Sequence, residues 1–379
     1  MPVEDKKGKE GTRKLLALDG GGIRGVMTLE VLAKIEAELQ GQLGRGDDFV
    51  LADYFDYVAG TSTGAIIATC LSLGMRVAEI RDFYIDSGPA MFDKASLLRR
   101  YTLNKFRDVK LTKKIQEIIA EKTGEPEARL GSRALRTYLM LVLRNATTDS
   151  PWPLSNNPAA KYNDCDLPDC NLNLPLWQLV RASTAAPTYF PPEVVKLGEL
   201  EFIFVDGGVT MYNNPAFQLF LMATVKAYNL GWVAGEDKML LVSVGTGTAA
   251  NANANLTPDE MNIIYNASSL PSAFMFAASN EQDFLCRAFG RCLNGGELDG
   301  EVGDLKGGDG RGPAEPKLFT YMRYNADLTR GGLDALGLPH IEPRTVQQLD
   351  SIEHIPELRE VGRAVAREVD IAHFAAFLP

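Results

Sequence analysis

Two apolar runs near the start of the chain each end in a glycine-containing turn that leads into a helical pattern. The first is LLALDGGGIRG, residues 15–25, and the second is YFDYVAGTSTG, residues 54–64. After each turn, apolar residues at helical spacing predict a helix. This alternation predicts βαβ units, and therefore an α/β fold with a mainly parallel central sheet. Further strands are predicted at LRTYLMLVLRN, EFIFVDGG and KMLLVSVGTGT.

The same patterns predict how the chain is organised. Residues 1–13 carry many charges and no apolar run, which predicts a flexible N-terminal tail. Residues 14–379 are predicted to form a single domain, with the motif-bearing core at 14–250 and a helical C-terminal portion at 251–379. Within that portion, the glycine-rich and acidic sequence at 294–313 predicts a flexible surface loop.

Charge and cysteine content exclude several classes of protein. The formal net charge of −10 disfavours binding to nucleic-acid polymers. The five cysteines are odd in number, and Cys165 and Cys170 lie in a Pro-, Asn- and Asp-rich segment, 149–175, that is predicted to be irregular. No C-x-x-C pair or histidine cluster accompanies them, so we expect reduced cysteines and no zinc site. The N-terminal sequence has no apolar signal region, and we expect a cytoplasmic protein.

The turn GTSTG, residues 60–64, has the G-x-S-x-G pattern of a nucleophilic serine. A sharp strand-to-helix turn lifts the serine above the sheet, and glycines on either side let the neighbouring backbone approach closely. The helix that follows contributes unpaired N–H groups and positive potential at its N-terminus. Ser62 is therefore a candidate nucleophile; the alternative is an inert serine in a tight turn.

A nucleophilic serine needs a base, and the sequence has few histidines to offer. All three lie in the last 40 residues, outside predicted strand ends: His340, His354 and His373. Asp206 is the better candidate, because the run EFIFVDGG places it at the end of a predicted strand, just before two glycines. The alternative role for Asp206 is to accept hydrogen bonds from the N–H groups of its own turn.

The glycines of DGGGIRG suit a site that binds negative charge, since Gly20, Gly21 and Gly22 carry no side chains over their N–H groups. Dinucleotide binding is disfavoured, because Asp19 directly precedes the glycines and the next strand ends without an acidic residue for a ribose. An oxyanion hole fits better, with the Thr63 N–H as a further donor. Arg24 could bind a phosphate head group or brace the loop.

Together these motifs resemble those of the patatin-like phospholipases. DGGGIRG, GTSTG and the DGG at 206–208 stand in the family's order, and ASTAAPTYFPP and VSVGTG are also similar to family sequences. The resemblance covers about residues 14–250. It implies a three-layer α/β/α fold, a Ser62–Asp206 dyad and hydrolysis of acyl esters of membrane glycerophospholipids without metal or other cofactor.

A narrower resemblance is to compact bacterial members of the family, some of which are effectors switched on by a cyclic nucleotide in antiphage defence. It implies a cyclic-nucleotide activator and a homo-oligomer, with a constitutive lipid acyl hydrolase or esterase that needs no nucleotide as the alternative. Peripheral action at the inner face of the cell membrane is expected. The segment at 91–114 carries eight cations against two acids. It could contact anionic lipid, bind a polyanion, or form a solvated helical face.

Overall fold

A computed structural model describes the chain over five ranges: residues 11–92, 100–187, 190–248, 263–306 and 315–378. The side chains of 89–92, 100–110 and 263–271 lie outside this description. The predicted tail therefore falls almost wholly outside the described residues. So do the second half of the predicted loop at 294–313 and the side chains of most of the basic segment at 91–114.

Nine strands in the described residues form one mixed sheet, with the order β5-β6-β3-β2-β1-β7-β9-β8 and β4 paired to β3. The pairings β1–β2, β2–β3, β1–β7, β7–β9 and β8–β9 are parallel, which confirms the predicted α/β fold with a mainly parallel sheet. The strands are β1 Arg13–Leu18, β2 Tyr57–Thr61, β3 Tyr138–Asn145, β4 Ser150–Ser155, β5 Glu193–Leu197, β6 Leu200–Asp206, β7 Met239–Val244, β8 Arg291–Asn294 and β9 Thr320–Tyr324.

Helices cover both faces of this sheet. Alternate residues of β1 enter two different cores: Leu16 and Leu18 pack with the first helix, and Leu15 and Ala17 pack with the helix that follows β6. The layers are thus helix, sheet and helix. The α-helices are α1 Gly25–Gln42, α2 Leu51–Tyr54, α3 Thr63–Ser72, α4 Val77–Phe92, α5 Arg100–Thr123, α6 Leu176–Ser183, α7 Ala216–Thr224, α8 Ile263–Phe289, α9 Arg330–Ala335, α10 Pro343–Gln347 and α11 Ile355–Ala366.

Two strands end side by side along β3. The antiparallel strand β4 pairs with β3 from Met140 to Asn145 and so occupies one edge of it. Strands β2 and β6 must share the other edge, where Thr61 pairs with Val142 and Asp206 pairs with Leu143. The residue after β2 and the last residue of β6 are therefore brought together by neighbouring positions of β3.

Two expectations for the segment at 149–175 are wrong. Its first residues form β4 rather than irregular structure, because Ser150–Ser155 finds an unoccupied edge of β3. Cys165 and Cys170 form a disulfide rather than remaining reduced; the loop between them brings their Cα atoms to 5.0 Å, within the usual range for this bond. The other three cysteines, Cys70, Cys286 and Cys292, are buried and unbridged.

Over the described ranges, no helix combines the length and apolar content needed to cross a bilayer.

Candidate active site

Ser62 sits on a strained turn between β2 and α3. Its backbone has φ 54° and ψ −120°, in a region that few non-glycine residues adopt. The flanking glycines are required by close approach of the backbone: a Cβ on Gly60 would lie 2.0 Å from the Gly64 carbonyl oxygen, and one on Gly64 would lie 2.3 Å from that of Leu18. Close approach of the backbone thus explains why both of these positions in the predicted elbow are glycine.

The Ser62 hydroxyl donates a hydrogen bond to Asp206, with 2.7 Å between Oγ and Oδ2. The other carboxylate oxygen, Oδ1, accepts from the Gly208 N–H at 2.6 Å. Asp206 is only 5% exposed. Burial raises its pKa to about 6, although the Ser62 hydroxyl, the Gly208 N–H and the charge of Arg181 each lower it. Asp206 therefore both caps its own turn and contacts the candidate nucleophile.

Ser183 holds the serine turn in place, and the sequence reasoning gave it no role. The Ser62 N–H donates to Ser183 Oγ at 3.0 Å, and that hydroxyl donates to the Val142 carbonyl at 2.6 Å. Ser183 thus ties the elbow to the same β3 edge that aligns Ser62 with Asp206. Its only sequence signal is its place in ASTAAPTYFPP, which resembles family sequence without indicating a contact.

The glycine loop after β1 lies against Ser62, but its three N–H groups are not equivalent. A Cβ on Gly20 would lie 3.3 Å from the Ser62 Cβ. The Gly20 N–H donates to the Asn213 carbonyl at 3.0 Å, so it is already engaged in this conformation, and its role as an oxyanion donor stays a prediction. No acceptor for the Gly21 or Gly22 N–H is found among the described residues. The first residue of α3, Thr63, likewise has no intrahelical acceptor for its N–H.

The Arg24 side chain extends from the loop to helix α10. Its Nη1 donates to the Gln347 carbonyl at 3.2 Å, which braces the loop against α10. Burial lowers its pKa to about 10, while the Asp19 carboxylate acts in the opposite sense. The side chain also lines a cavity of about 80 Å³ with Asp19 and Asn213, under α8. Bracing is thus observed, and a phosphate contact stays a prediction.

The three histidines contact neither Ser62 nor Asp206. His340 bonds to Glu360, His354 to Glu357, and His373 to the Tyr324 hydroxyl. Asp206 is accordingly the titratable group placed against the serine hydroxyl. Among the residues with described placement, no group of three or more His, Cys, Asp or Glu side chains is arranged to hold a metal ion.

The chain is similar to several known proteins. The chain is 30% identical over 249 residues to Patatin-17 of Solanum cardiophyllum, which covers 61% of this chain and 60% of the relative. It is 32% identical over 226 residues to an intracellular phospholipase A2 of Caenorhabditis elegans, over 59% of this chain and 18% of the relative. Among solved structures, VipD from Legionella pneumophila aligns with 92% of this chain and 67% of its own, with a TM-score of 0.39 and 14% identity.

The family model for patatin-like phospholipases matches residues 16–220. This range contains Ser62, Asp206 and the glycine loop, and it spans more than half of the 379 residues. The chain therefore belongs to the patatin-like phospholipase family.

Proposed function

We propose that this chain is a lipid acyl hydrolase that cleaves ester bonds of glycerophospholipids, with Ser62 as nucleophile and Asp206 as general base. The observation that carries the proposal is the 2.7 Å hydrogen bond from Ser62 Oγ to Asp206 Oδ2 at a strained elbow. A nucleophile and base within hydrogen-bond reach are what covalent acyl transfer requires. The proposal treats residues 14–379 as one functional domain.

In the proposed acylation step, Ser62 Oγ attacks the ester carbonyl carbon while its proton passes to Asp206. The carbonyl π electrons move onto oxygen, which becomes the oxyanion of a tetrahedral intermediate. Collapse of this intermediate breaks the bond to the alcohol, which leaves as the lysolipid after taking the proton from Asp206. Water then attacks the acyl-serine with Asp206 again accepting a proton, and the fatty acid leaves as Ser62 regains its hydrogen.

The developing oxyanion needs donors that are already in place. The N–H groups of Gly21, Gly22 and Thr63 are the candidates, since the Gly20 N–H is engaged by Asn213. Thr63 directly follows Ser62 and begins α3, and Gly21 and Gly22 directly follow Gly20, which lies against the Ser62 Cβ. Fixed donors of this kind stabilise charge in the transition state without having to reorganise.

Activity should depend on pH through Asp206. Burial raises its pKa to about 6, and only the ionised carboxylate can accept the serine proton. Below that pKa the carboxyl is protonated and inactive as a base, so kcat/KM is expected to rise as pH increases through about 6 and to level off above it. A pH–rate profile with a soluble ester substrate measures this. A profile that is flat from pH 4 to 8 would contradict Asp206 as the base.

The substrate proposal rests on the family and on its named relatives, which include an intracellular phospholipase A2. We propose peripheral action at the inner face of the cell membrane, with Arg24 facing the phosphate of the lipid. The similarity to a plant patatin and to an intracellular phospholipase A2 favours a constitutive hydrolase over a nucleotide-activated antiphage effector. The cyclic-nucleotide activator and the homo-oligomer stay predictions from the narrower resemblance.

One experiment separates these forms of the proposal. The purified chain is incubated with vesicles of mixed phospholipids, with and without a panel of cyclic nucleotides, and the products are identified by mass spectrometry. Free fatty acid and lysophospholipid in both arms are the expected result. Products only in the presence of a nucleotide would favour the gated effector. No product in either arm, from a folded protein, would contradict lipid hydrolysis.

A further inference from the structure

The glycine loop begins at a buried carboxylate that is held by a residue distant in sequence. Asp19, the residue before Gly20, accepts two hydrogen bonds from Arg323 of β9: Nη1 to Oδ1 at 2.8 Å and Nη2 to Oδ2 at 2.6 Å. Both side chains are 3% exposed. A bidentate pair fixes the orientation of the carboxylate as well as its position, because the planar guanidinium matches both oxygens.

Arg323 also reaches the other side of the loop. Its Nη1 donates to Ser243 Oγ at 2.8 Å, and this hydroxyl donates to Asn214 Oδ1 at 3.3 Å. The neighbouring Asn213 carbonyl accepts the Gly20 N–H. The loop is thus anchored both at the side chain that precedes Gly20 and, through Ser243 and Asn214, at the segment that bonds to Gly20 itself.

The charge of Asp19 would oppose the function proposed for the loop. An ionised carboxylate in the residue before the glycines repels a developing oxyanion, and burial reduces the screening of that repulsion. The other charged groups that act on Asp19 are Arg24, which favours its ionised form, and Asp283 of α8, which disfavours it. The charge that directly contacts Asp19 is that of Arg323, which forms an ion pair with it.

We propose that Arg323 is a positioning residue for the hydrolytic reaction: it holds Asp19 so that the glycine loop aims its N–H groups at the oxyanion, and it neutralises the carboxylate beside them. The inference rests on the proposed function. It adds a residue from outside the matched family range of 16–220, in a strand that supplies none of the proposed dyad or oxyanion donors.

Four purified variants test this with a soluble p-nitrophenyl ester: Arg323→Met, Arg323→Lys, the double variant Asp19→Asn/Arg323→Met, and Arg359→Met as control. Arg359 pairs with the buried Glu30 but does not contact the loop. We expect Arg323→Met to lower kcat by about 10²-fold with little change in KM, since small misplacements of catalytic groups cost rates of this order. Arg323→Lys keeps the positive charge but lacks the planar guanidinium that binds both carboxylate oxygens. Its kcat should therefore lie between those of wild type and Arg323→Met.

The dependence of kcat on pH is a second measurement, and it should not change if Arg323 only stabilises the fold. In Arg323→Met, ionisation of the unpaired Asp19 at alkaline pH should lower kcat, whereas wild type stays level above pH about 6. The double variant has no carboxylate at position 19, so it should lose this alkaline decline and regain part of kcat. Arg359→Met should keep the wild-type profile.

Several outcomes would overturn the inference. One is a folded Arg323→Met with wild-type kcat; another is a reduced kcat with a wild-type pH profile and no recovery in the double variant. If circular dichroism shows that Arg323→Met does not fold, Arg323→Lys decides: a lower kcat at unchanged KM supports the role, and a wild-type kcat refutes it. An inactive wild type would instead count against the proposed function.

Discussion

Replacing Ser62 by alanine is expected to abolish ester hydrolysis, with a fall in kcat of about 10⁴- to 10⁶-fold, the range seen when the nucleophile or base of a serine hydrolase is removed. The hydroxyl that donates to Asp206 is then gone, and no acyl-serine can form. Asp206→Asn should have a comparable effect, because an amide cannot accept the serine proton. Rates are measured on phospholipid vesicles and on a soluble ester, so that loss of chemistry is distinguished from loss of membrane contact.

Two matched control variants test whether the loss of activity is specific to Ser62 and Asp206. Ser132→Ala removes a hydroxyl whose bond is local to its own turn, and Asp82→Asn removes an exposed carboxylate on α4. Both should retain wild-type rates. Circular dichroism and the thermal midpoint should show that the Ser62 and Asp206 variants are folded. Near-wild-type hydrolysis in either dyad variant would rule out the proposed mechanism.

The second large effect is expected for Gly21→Ala. A Cβ at this position would lie 2.1 Å from Oγ1 and 2.5 Å from Cβ of Thr246, so the loop must move to accept it. Thr246 cannot simply turn away, since its Cβ is itself in the clash and its hydroxyl donates to the Gly20 carbonyl. Displacing the Gly21 N–H should lower kcat by about 10²- to 10³-fold, as for loss of one oxyanion donor.

Gly41→Ala is the matched control for this substitution. Gly41 is exposed near the end of α1, and a Cβ there would meet no atom within 4 Å. Its alanine variant should keep full activity and equal or slightly higher thermal stability, because alanine favours helix. If Gly21→Ala were folded and as active as Gly41→Ala, the loop would not supply oxyanion donors.

The sequence predicted the parts of this site whose chemistry depends on short motifs. GTSTG indicates a serine elbow because the sterics of a strand-to-helix turn are local: the carbonyl oxygens that require Gly60 and Gly64 to lack a Cβ belong to the turn itself and to the adjacent β1. The choice of Asp206 over histidine followed from its place at a strand end. Its distance from Ser62 depended on the register of β2 and β6 along β3, which no local pattern specifies.

Features that depend on contacts between distant residues were missed. The use of the Gly20 N–H by Asn213, the anchoring of the elbow by Ser183 and the ion pair of Asp19 with Arg323 each join segments far apart in sequence. The odd number of cysteines also led to the wrong prediction that all of them are reduced, because an odd total does not prevent one pair from closing a short loop. Strand β4 was not predicted, because its sequence contains prolines, which disfavour strands. An edge strand tolerates them because its outer N–H groups have no partner in the sheet.

The central claim is that Ser62 attacks the substrate and that Asp206 activates it. The most direct test is covalent labelling with a long-chain alkyl fluorophosphonate, followed by peptide mass spectrometry. One phosphonyl group per chain, on the peptide that contains Ser62, is predicted, with no labelling of Ser62→Ala and much slower labelling of Asp206→Asn. Labelling at another residue, or equal labelling of the Ser62→Ala variant, would contradict the account.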